Sequence, residues 1–304
     1  MGFEGFALEK AKYSHKKPQI PINPMTSSRV LFAAWLATAG FAAAALTDNF
    51  ETGTYPNTGT GWSAGWAEST TTNNVDGSVI NTNPINGGGN YLSVTNTVNS
   101  TNLGINRNIG SMVNSIYTLT FDWRLDSPLT TFTNFNDRIH FGSNNDGSFG
   151  TTNTWGWIIG VSAADNGTTN TVFDGNWYFY NNQSTTANGN FDSADMVNTN
   201  VALVSGVTYS FTVTVNSTAQ TYSASMIGSN GTSFSASNLN FRNQASAGTT
   251  QTNLAFGGAV SASAAPTEAL TWSLDNVNVV PEPSSLILAG LSGLLCFKRR
   301  RIAG

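Results

Sequence analysis

The amino-acid sequence predicts an all-β protein whose body is a jelly-roll β-sandwich, placed between an N-terminal signal helix and a short C-terminal membrane helix. Three observations support this fold class. Apolar and polar residues alternate with a period of two, helical periodicity is almost absent from the body, and Asn-Gly, Asp-Gly and Gly-rich turns separate the segments. About ten short strands with such turns are typical of sandwiches and barrels. The predicted parts are 1–45, 46–279 and 280–304.

The N-terminal part has the pattern of an export signal. Arg29 precedes an apolar run over residues 30–45 that ends in four alanines. Signal peptidases require small residues just before the bond they cut, so cleavage is expected after Ala44 or Ala45. The mature chain would then start near Leu46, and signal peptidase and the export machinery are expected partners.

The true start of translation is a separate question. Residues 1–24 hold four lysines and three prolines but no apolar periodicity. Residues 1–24 are therefore either an unusually long leading segment or the result of a start codon placed too early. Met25 would leave a normal short basic region before the apolar run, and Met25 is the favoured start.

The clearest strands of the body form a hairpin. Residues 209–215 alternate Tyr, Phe and Val with Ser and Thr, a polar turn follows over 216–220, and residues 221–226 alternate again. Residues 117–123 form another alternating strand. Shorter alternating runs lie at 91–94, 138–142, 157–161, 177–180, 254–257 and 272–279.

The charge of the body excludes several classes of partner. Between residues 46 and 280 there are fourteen carboxylates, four arginines and no lysine. Such an acidic surface argues against nucleic acid and anionic lipid as partners. The single cysteine, Cys296, lies in the C-terminal part, so the body has no disulfide and must be stabilised by its core.

Several body segments together resemble concanavalin-like (laminin-G-type) or carbohydrate-binding-module sandwiches. These are the Asp-Asn-Phe-Glu sequence at 48–51, the strand at 117–123, the hairpin at 209–226 and the closing segment at 274–277. The resemblance implies that the first and last strands pair. Both ends of the domain would then lie at one end of the sandwich.

The C-terminal part has three unlike features in a fixed order. Pro281, Glu282 and Pro283 come first, and the prolines predict an extended, exposed spacer outside any central strand. An apolar membrane helix is predicted over 284–297. It would rise about 21 Å, less than the roughly 30 Å of a bilayer core. The cations that follow can snorkel and hold the C-terminus on the cytoplasmic side. These are Lys298, Arg299, Arg300 and Arg301.

This order resembles the PEP-CTERM sorting signal, and it is also similar to the tail of some ice-binding proteins. The first resemblance implies processing by an exosortase, with transient anchoring in the inner membrane followed by delivery to the cell surface or extracellular matrix. A core helix with a basic, nucleic-acid-binding tail is the alternative. It fits poorly because the basic run is short and the body is acidic.

The residues of the body argue against an enzyme. Its glutamates, Glu51, Glu68 and Glu268, are scattered, whereas glycoside hydrolysis needs two carboxylates about 5 to 9.5 Å apart. Asp122 and Asp126 flank Arg124, which indicates a structural ion pair. His140 is the only histidine of the body and is expected to pack or lie on the surface. No catalytic residue and no zinc site is therefore predicted.

Two binding sites remain as hypotheses. Asp48 and Asp275 are candidates for a structural calcium ion, since sandwich domains place such ions near their termini; otherwise no cofactor is expected. Sugar binding is the better supported activity, because aromatic rings stack on the C–H faces of pyranoses. Its candidates cluster in the sequence near polar loop residues. They are Trp155, Trp157, Trp177 and Tyr180, with core packing as the alternative.

The expected function is therefore that of an exported surface or matrix protein with a structural or adhesive sandwich. An exopolysaccharide-binding module is the alternative, and a glycoside hydrolase or an ice-binding protein is more distant. Ice-binding sheets need regular ranks of threonine on one face. Residues 70–72 and 130–131 are threonine runs rather than alternating ranks, which argues against ice.

Overall fold

The computed structural model describes residues 44–69, 74–97, 99–110, 116–129, 137–145, 155–162, 175–183, 195–243, 251–260 and 269–282. Within these ranges the protein is all-β, with one short 3-10 turn at Ile85–Gly87, so the predicted fold class is confirmed. The predicted terminal helices lie outside the described residues. The strands are β1 (Leu46–Asp48), β2 (Gly53–Thr54), β3 (Asn57–Thr58), β4 (Ala67–Glu68), β5 (Val75–Ile80), β6 (Tyr91–Asn96), β7 (Asn99–Asn108), β8 (Ile116–Leu125), β9 (Arg138–Asn144), β10 (Trp155–Ser162), β11 (Asn176–Tyr180), β12 (Met196–Ala202), β13 (Thr208–Asn216), β14 (Thr221–Gly228), β15 (Ser233–Asn240), β16 (Asn253–Val260) and β17 (Leu270–Pro281).

Two antiparallel sheets form the body. Sheet 1 has eight strands in the order β15-β14-β13-β8-β17-β6-β5, with β1 paired to β17 beside this path. Sheet 2 has seven strands in the order β12-β11-β10-β9-β16-β7-β4. The strands β2 and β3 form a separate ribbon. Each sheet combines runs of consecutive strands, β13-β14-β15 in sheet 1 and β9-β10-β11-β12 in sheet 2, with pairs from distant parts of the sequence such as β8-β17 and β7-β16.

The core lies between the sheets and follows from the alternation of each strand. In β13 the residues that face inward are Tyr209, Phe211, Val213 and Val215, and all four are buried, while Ser210 and Thr212 are exposed. The predicted hairpin of β13 and β14 is confirmed. Burial of such apolar side chains is the main favourable term in folding.

Aromatic rings join the two sheets. Phe121 of β8 stacks on Phe211 of β13, with ring centroids 4.9 Å apart. Phe121 also meets Phe141 of β9 edge-on at 5.4 Å and Phe256 of β16 at 5.0 Å, across the space between the sheets. Edge-to-face and offset contacts at these distances are favourable for aromatic pairs. The sandwich is therefore held by a continuous aromatic core.

A buried ion pair fixes the first residues of the body. Arg107 of β7 binds the carboxylate of Asp48, and both side chains are buried. The same guanidinium donates to the carbonyl oxygens of Thr58 at 2.7 Å and Ala64 at 3.0 Å and lies 4.4 Å from the ring of Trp62. These hydrogen bonds and the ring contact lower the free-energy cost of burying the two charges, because a buried ion is stable only with several polar partners. The segment after β1 is thereby tied to sheet 2.

The last strand changes its neighbour part of the way along. Its first residues pair with β6, from Leu270 to Leu274. The register shifts between Asp275 and Asn278, where Asn276 has a positive φ of 52°. Beyond this irregularity β17 pairs with β1 instead of β6. A bulge inside β17 thus sets which strand lies beside the last residues before the C-terminal part.

Candidate functional site

The site best supported by the sequence lies where β17 ends, and it includes both ends of the body. Leu46 pairs with Val279 and Asp48 with Val277, in antiparallel register. The predicted pairing of first and last strands is therefore confirmed. Continued in the same direction, this register brings Ala45 and Ala44 alongside Val280 and Pro281. We call this region, formed by Ala44, Ala45, Ile116, Val280, Pro281 and Glu282, the sorting end.

Pro281 is the last residue of β17, opposite Tyr117 of β8. The expectation that the proline lies outside any central strand is wrong for this residue. Successive residues of an antiparallel strand turn their N–H groups to opposite sides. Because the backbone N–H of Glu282 donates to the carbonyl oxygen of Ile116 on β8 at 2.8 Å, the nitrogen of Pro281 faces away from β8 and its missing N–H costs no bond to that strand. Pro281 and Glu282 thus continue the sheet, while Pro283 lies outside the described residues.

The side chain of Glu282 is exposed but is not free. The hydroxyl of Thr118 on β8 donates to Glu282 Oε1 at 2.9 Å. The Oγ1 atoms of Thr118 and Thr214 are 3.1 Å apart, and with the Thr118 proton used for Glu282, Thr214 is the donor in that pair. A short chain of hydroxyls therefore leads from β13 through β8 to the motif carboxylate.

Two exposed apolar side chains flank this contact. Ile116 is 44% exposed and Val280 is 40% exposed, although most large apolar residues of the described sandwich are buried. Pro283, the helix over 284–297 and the basic stop Lys298, Arg299, Arg300 and Arg301 lie outside the described residues, as does the signal segment up to residue 43. In the part of the chain that is described, no helix is long and apolar enough to cross a membrane.

The predicted sugar platform is absent at its four candidate positions. Trp155 is 2% exposed, and Trp157, Trp177 and Tyr180 are 0% exposed. Trp157 and Trp177 belong to the core between the sheets. Stacking on a sugar needs an accessible ring face, so the hypothesis that these four residues bind sugar is wrong. The alternation of β10 and β11 puts half of their aromatic residues inward, and the remainder are buried as well.

Trp155 and Tyr180 belong to a second cluster, on the face of sheet 2 that points away from sheet 1. We call it the outer cluster. Its rings lie directly on the sheet: a Cβ at Gly142 would come within 2.7 Å of the Trp155 ring, so only glycine allows this approach. The members are Trp155, Ile158, Tyr178, Tyr180, Met196 and Ala255.

Charged and titratable groups lie beside the outer cluster. His140 meets Trp155 edge-on, with ring centroids 4.7 Å apart. Burial, with further repulsion from Arg138 and Arg242, lowers the pKa of His140 to about 3. Burial raises the pKa of Tyr178 to about 12, against the opposing effect of the same arginines. A histidine that stays neutral at pH 7 with so low a pKa is a weak general base. Of the two positions expected for His140, packed or on the surface, the structure shows the packed one.

The carboxylates near Arg124 also have structural roles. Arg124 Nε donates to Asp126 Oδ1 at 2.6 Å, which confirms an ion pair with one of the two flanking aspartates. Asp122 accepts instead from Ser210 and from Asn276 Nδ2, the latter at 2.8 Å. Asp122 therefore stabilises the bulge of β17.

The two calcium candidates differ in how their oxygens are used. The Asp48 carboxylate accepts from the Phe50 N–H at 3.0 Å, Thr58 Oγ1 at 2.6 Å and Trp66 Nε1 at 2.9 Å, in addition to Arg107. Three of these donors meet Oδ2 and the Phe50 N–H meets Oδ1, and Arg107 already supplies a positive charge, which argues against a calcium ion there.

Asp275 is the other candidate. Burial raises its pKa to about 7, and the N–H of Asn276 opposes this rise while nearby Asp122, Glu51 and Asp48 add to it. Among the residues that the structure describes, no three His, Cys, Asp or Glu side chains are grouped so that they could hold a metal ion.

The outward-facing residues of sheet 1 form ranks of hydroxyls that the sequence analysis missed. Thr120, Thr212, Ser225 and Ser235 are directly paired across four adjacent strands, and a second rank runs beside them. All are half-buried or exposed, and a depression of about 320 Å³ lies between β13, β14 and β15. We call this surface the hydroxyl face. It consists of Thr118, Thr120, Thr212, Thr214, Ser223, Ser225 and Ser235.

The hydroxyl face corrects one argument from the sequence. Alternating Thr-x-Thr pairs do occur, at 118–120 and 212–214, and cross-strand register assembles them into ranks. The threonine runs that were considered, at 70–72 and 130–131, lie outside the described residues. The alternating threonines can be read from the sequence of each strand, but their alignment into ranks can be seen only when the strand order is known.

The C-terminal match to a known family covers a small part of the chain. Residues 279–302 match the PEP-CTERM protein-sorting motif, and the match begins at Val279, the last buried position of β17. No curated protein matches the chain by sequence. The sorting motif implies export and processing by an exosortase as its partner enzyme.

Several solved structures are similar to the sandwich at low identity. A PL-14 alginate lyase from Aplysia kurodai shares 10% identity at a TM-score of 0.46, covering 79% of this chain and 99% of that protein. A seed lectin isoform from Lotus tetragonolobus shares 11% identity at a TM-score of 0.41, covering 69% and 95%. A sialidase shares 10% identity at a TM-score of 0.41, and the chain spans 19% of its length. Enzymes and lectins both occur among these structures, and similarity at this level carries no conclusion about activity.

Proposed function

We propose that the protein is a cell-surface or extracellular-matrix component that is exported through its N-terminal signal, held transiently in the inner membrane by its C-terminal helix, and cleaved by an exosortase. The observation that carries this proposal is the sorting motif at 279–302, which continues the last strand of the sandwich. In this scheme Pro281, Glu282 and Pro283 are the recognition element. Lys298, Arg299, Arg300 and Arg301 are the stop on the cytoplasmic side.

The body is proposed to be structural or adhesive and not enzymatic. The groups that acid–base chemistry would need are engaged elsewhere: Asp126 with Arg124, Asp122 with the β17 bulge, and His140 with the ring of Trp155. A lysine-free, acidic surface with polar loops suits a soluble layer component that must not aggregate.

The test of sorting replaces the recognition element. Changing Pro281, Glu282 and Pro283 together to alanine should leave unprocessed precursor in the inner membrane. A matched control changes Ser284 and Ser285 to alanine, which alters the same segment without touching the motif. Membrane fractionation and immunoblotting measure the outcome. Normal processing and release of the triple variant would refute the sorting role.

A second candidate function is binding of a neutral exopolysaccharide by the hydroxyl face. Hydroxyls both donate and accept hydrogen bonds, so ranks of them match the hydroxyls of a sugar polymer. The outward residues of these ranks carry no charge, whereas the net charge of the body disfavours an acidic polymer. This candidate replaces the aromatic platform, whose residues are buried.

Pull-down on insoluble cellulose tests this second function, with an acidic polyuronate gel as the comparison. Thr120→Val with Thr212→Val should abolish retention on cellulose, because valine keeps the shape of threonine and removes its hydroxyl. Ser78→Val with Thr218→Val is the control, at exposed positions outside the ranks. Equal retention of both variants would exclude the hydroxyl face as the binding surface. Ice-crystal shaping without cellulose retention would assign the ranks to ice instead.

A further inference from the structure

We infer that the folded sandwich holds the sorting motif in a docked state, and that the exosortase acts only on molecules in which Glu282 has left Thr118 and Ile116. This inference rests on the proposed sorting function and adds a form of regulation to it. Folding of the body would thereby control how much of the motif is open to the enzyme.

The docking is specific to the glutamate. Its backbone N–H is used by the carbonyl oxygen of Ile116 at 2.8 Å, and its carboxylate accepts from Thr118 at 2.9 Å. An enzyme that recognises this residue in an extended motif must contact the carboxylate, the main chain or both. Each of these groups is already paired with β8, so recognition competes with docking.

Only the end of β17 has to move for this competition to be resolved. Val277 and Val279 are fully buried in the core and hold the strand in place. Val280, by contrast, is 40% exposed, and Pro281 has no N–H to lose from the ladder. Fraying can therefore stop at residue 280, with the sandwich and its pairing to β1 intact. Strand ends open at far lower cost than core strands do.

The neighbourhood of the motif supports the same picture. The chain leaves the described residues at 44 and at 282, two residues before Leu46 and three residues after Val279, which are paired with each other in the β1–β17 register. Ile116 and Val280 are exposed apolar residues at the same place. While both hydrophobic segments remain attached, this end of the body faces the membrane, where the sorting enzyme also resides. Glu282 is thus docked at the part of the molecule that the enzyme would meet first.

Thr118→Val tests the inference in the full-length precursor, since valine suits a half-buried strand position and cannot donate to Glu282. Pulse–chase labelling in cells that contain the exosortase should show precursor conversion about two- to fivefold faster than in the wild type, as expected for loss of one solvent-exposed contact to a carboxylate. Thr118→Ser keeps the donor and should convert at the wild-type rate. Ser78→Val, at an exposed position of β5 outside the hydroxyl face, should do the same.

Hydrogen exchange of the detergent-solubilised precursor gives a second, independent measurement. The Glu282 amide should be protected in the wild type and should exchange faster in Thr118→Val. Conversion of Thr118→Val at or below the wild-type rate, or an unprotected Glu282 amide in the wild type, would overturn docking. The alanine triple variant keeps the two proposals distinct, because it stays unprocessed if sorting is correct and docking is wrong.

Discussion

The outer faces of the two sheets differ, although both are formed by strands with the same alternating pattern. On sheet 1 the outward residues are the half-exposed threonines and serines of the hydroxyl face. On sheet 2 the outward residues include Trp155, Tyr178 and Tyr180, which are almost completely buried. Alternation therefore shows that the two faces of a strand differ in chemistry. It does not show that the second face is open to solvent.

This difference has electrostatic consequences. The buried outer face of sheet 2 holds a histidine whose pKa burial lowers to about 3. In sheet 1 a carboxyl group at the β17 bulge has a shifted pKa, because burial raises the pKa of Asp275 to about 7. The two groups make stability depend on pH in opposite directions. Each group can be removed by a single substitution, so the difference between the two sheets can be tested directly.

Truncation of the outer cluster should have the largest effect. Trp155→Ala removes a buried indole and leaves a cavity over Gly142, so the free energy of unfolding should fall by about 3–5 kcal/mol. Thr212→Val on the outer face of sheet 1 should change it by less than about 0.5 kcal/mol. Urea unfolding followed by circular dichroism measures both. If the two variants are equally stable, the outer face of sheet 2 is not buried.

Acidification should weaken sheet 2 through His140. Its folded pKa of about 3 lies below the ordinary 6.5, so the stability that the neutral form contributes is present above pH 6.5 and is lost as the pH falls toward 3. The loss should reach about 2–4 kcal/mol. In His140→Gln this part of the pH dependence should disappear. If the free energy of unfolding of the variant still falls with the wild-type slope between pH 6.5 and 4, another group is responsible for the pH dependence.

Alkalinisation should weaken sheet 1 through Asp275, by a smaller amount. Its pKa is raised from 3.8 to about 7 in the folded state. The stability that the protonated carboxyl contributes is therefore fully present below pH 3.8 and is lost as the pH rises through 7. Asp275→Asn keeps an oxygen for the Asn276 N–H and should stabilise the protein at pH 8 by about 1–2 kcal/mol, with no gain near pH 4. Asp76→Asn, on an exposed position of β5, should give neither effect. A stabilisation that is equal at both pH values would exclude Asp275 as the titrating group.

Much of the architecture followed from local pattern. The hairpin at 209–226, the strand at 117–123 and the sandwich class were all correct, because each depends on alternation within one segment. The pairing of first and last strands was implied by family resemblance and is also correct. The sorting motif needed no structure, since its recognition depends on the order of adjacent features in the sequence.

The errors concerned relations between distant residues. The four aromatic candidates for sugar binding were chosen for their chemistry and their proximity in sequence, but their exposure depends on what packs against each face of sheet 2. The hydroxyl ranks were missed because β8 and β13 are separated by more than eighty residues in the sequence and become neighbours only in the sheet. Pro281 was placed outside the sheet by the local rule that proline is excluded from central strands, and this rule does not hold for the last residue of a strand.

By itself, the sequence determined that this chain is an acidic β protein with a single cysteine and a C-terminal sorting motif, which implies export. Composition, alternation and motif order are properties of neighbouring residues, and one strand suffices to express them. Only the tertiary structure decided which faces are open, how hydroxyls align into ranks, and that Thr118 binds a glutamate 164 residues away. These features depend on strand order and register, which are set by the packing of the whole core and by no single segment.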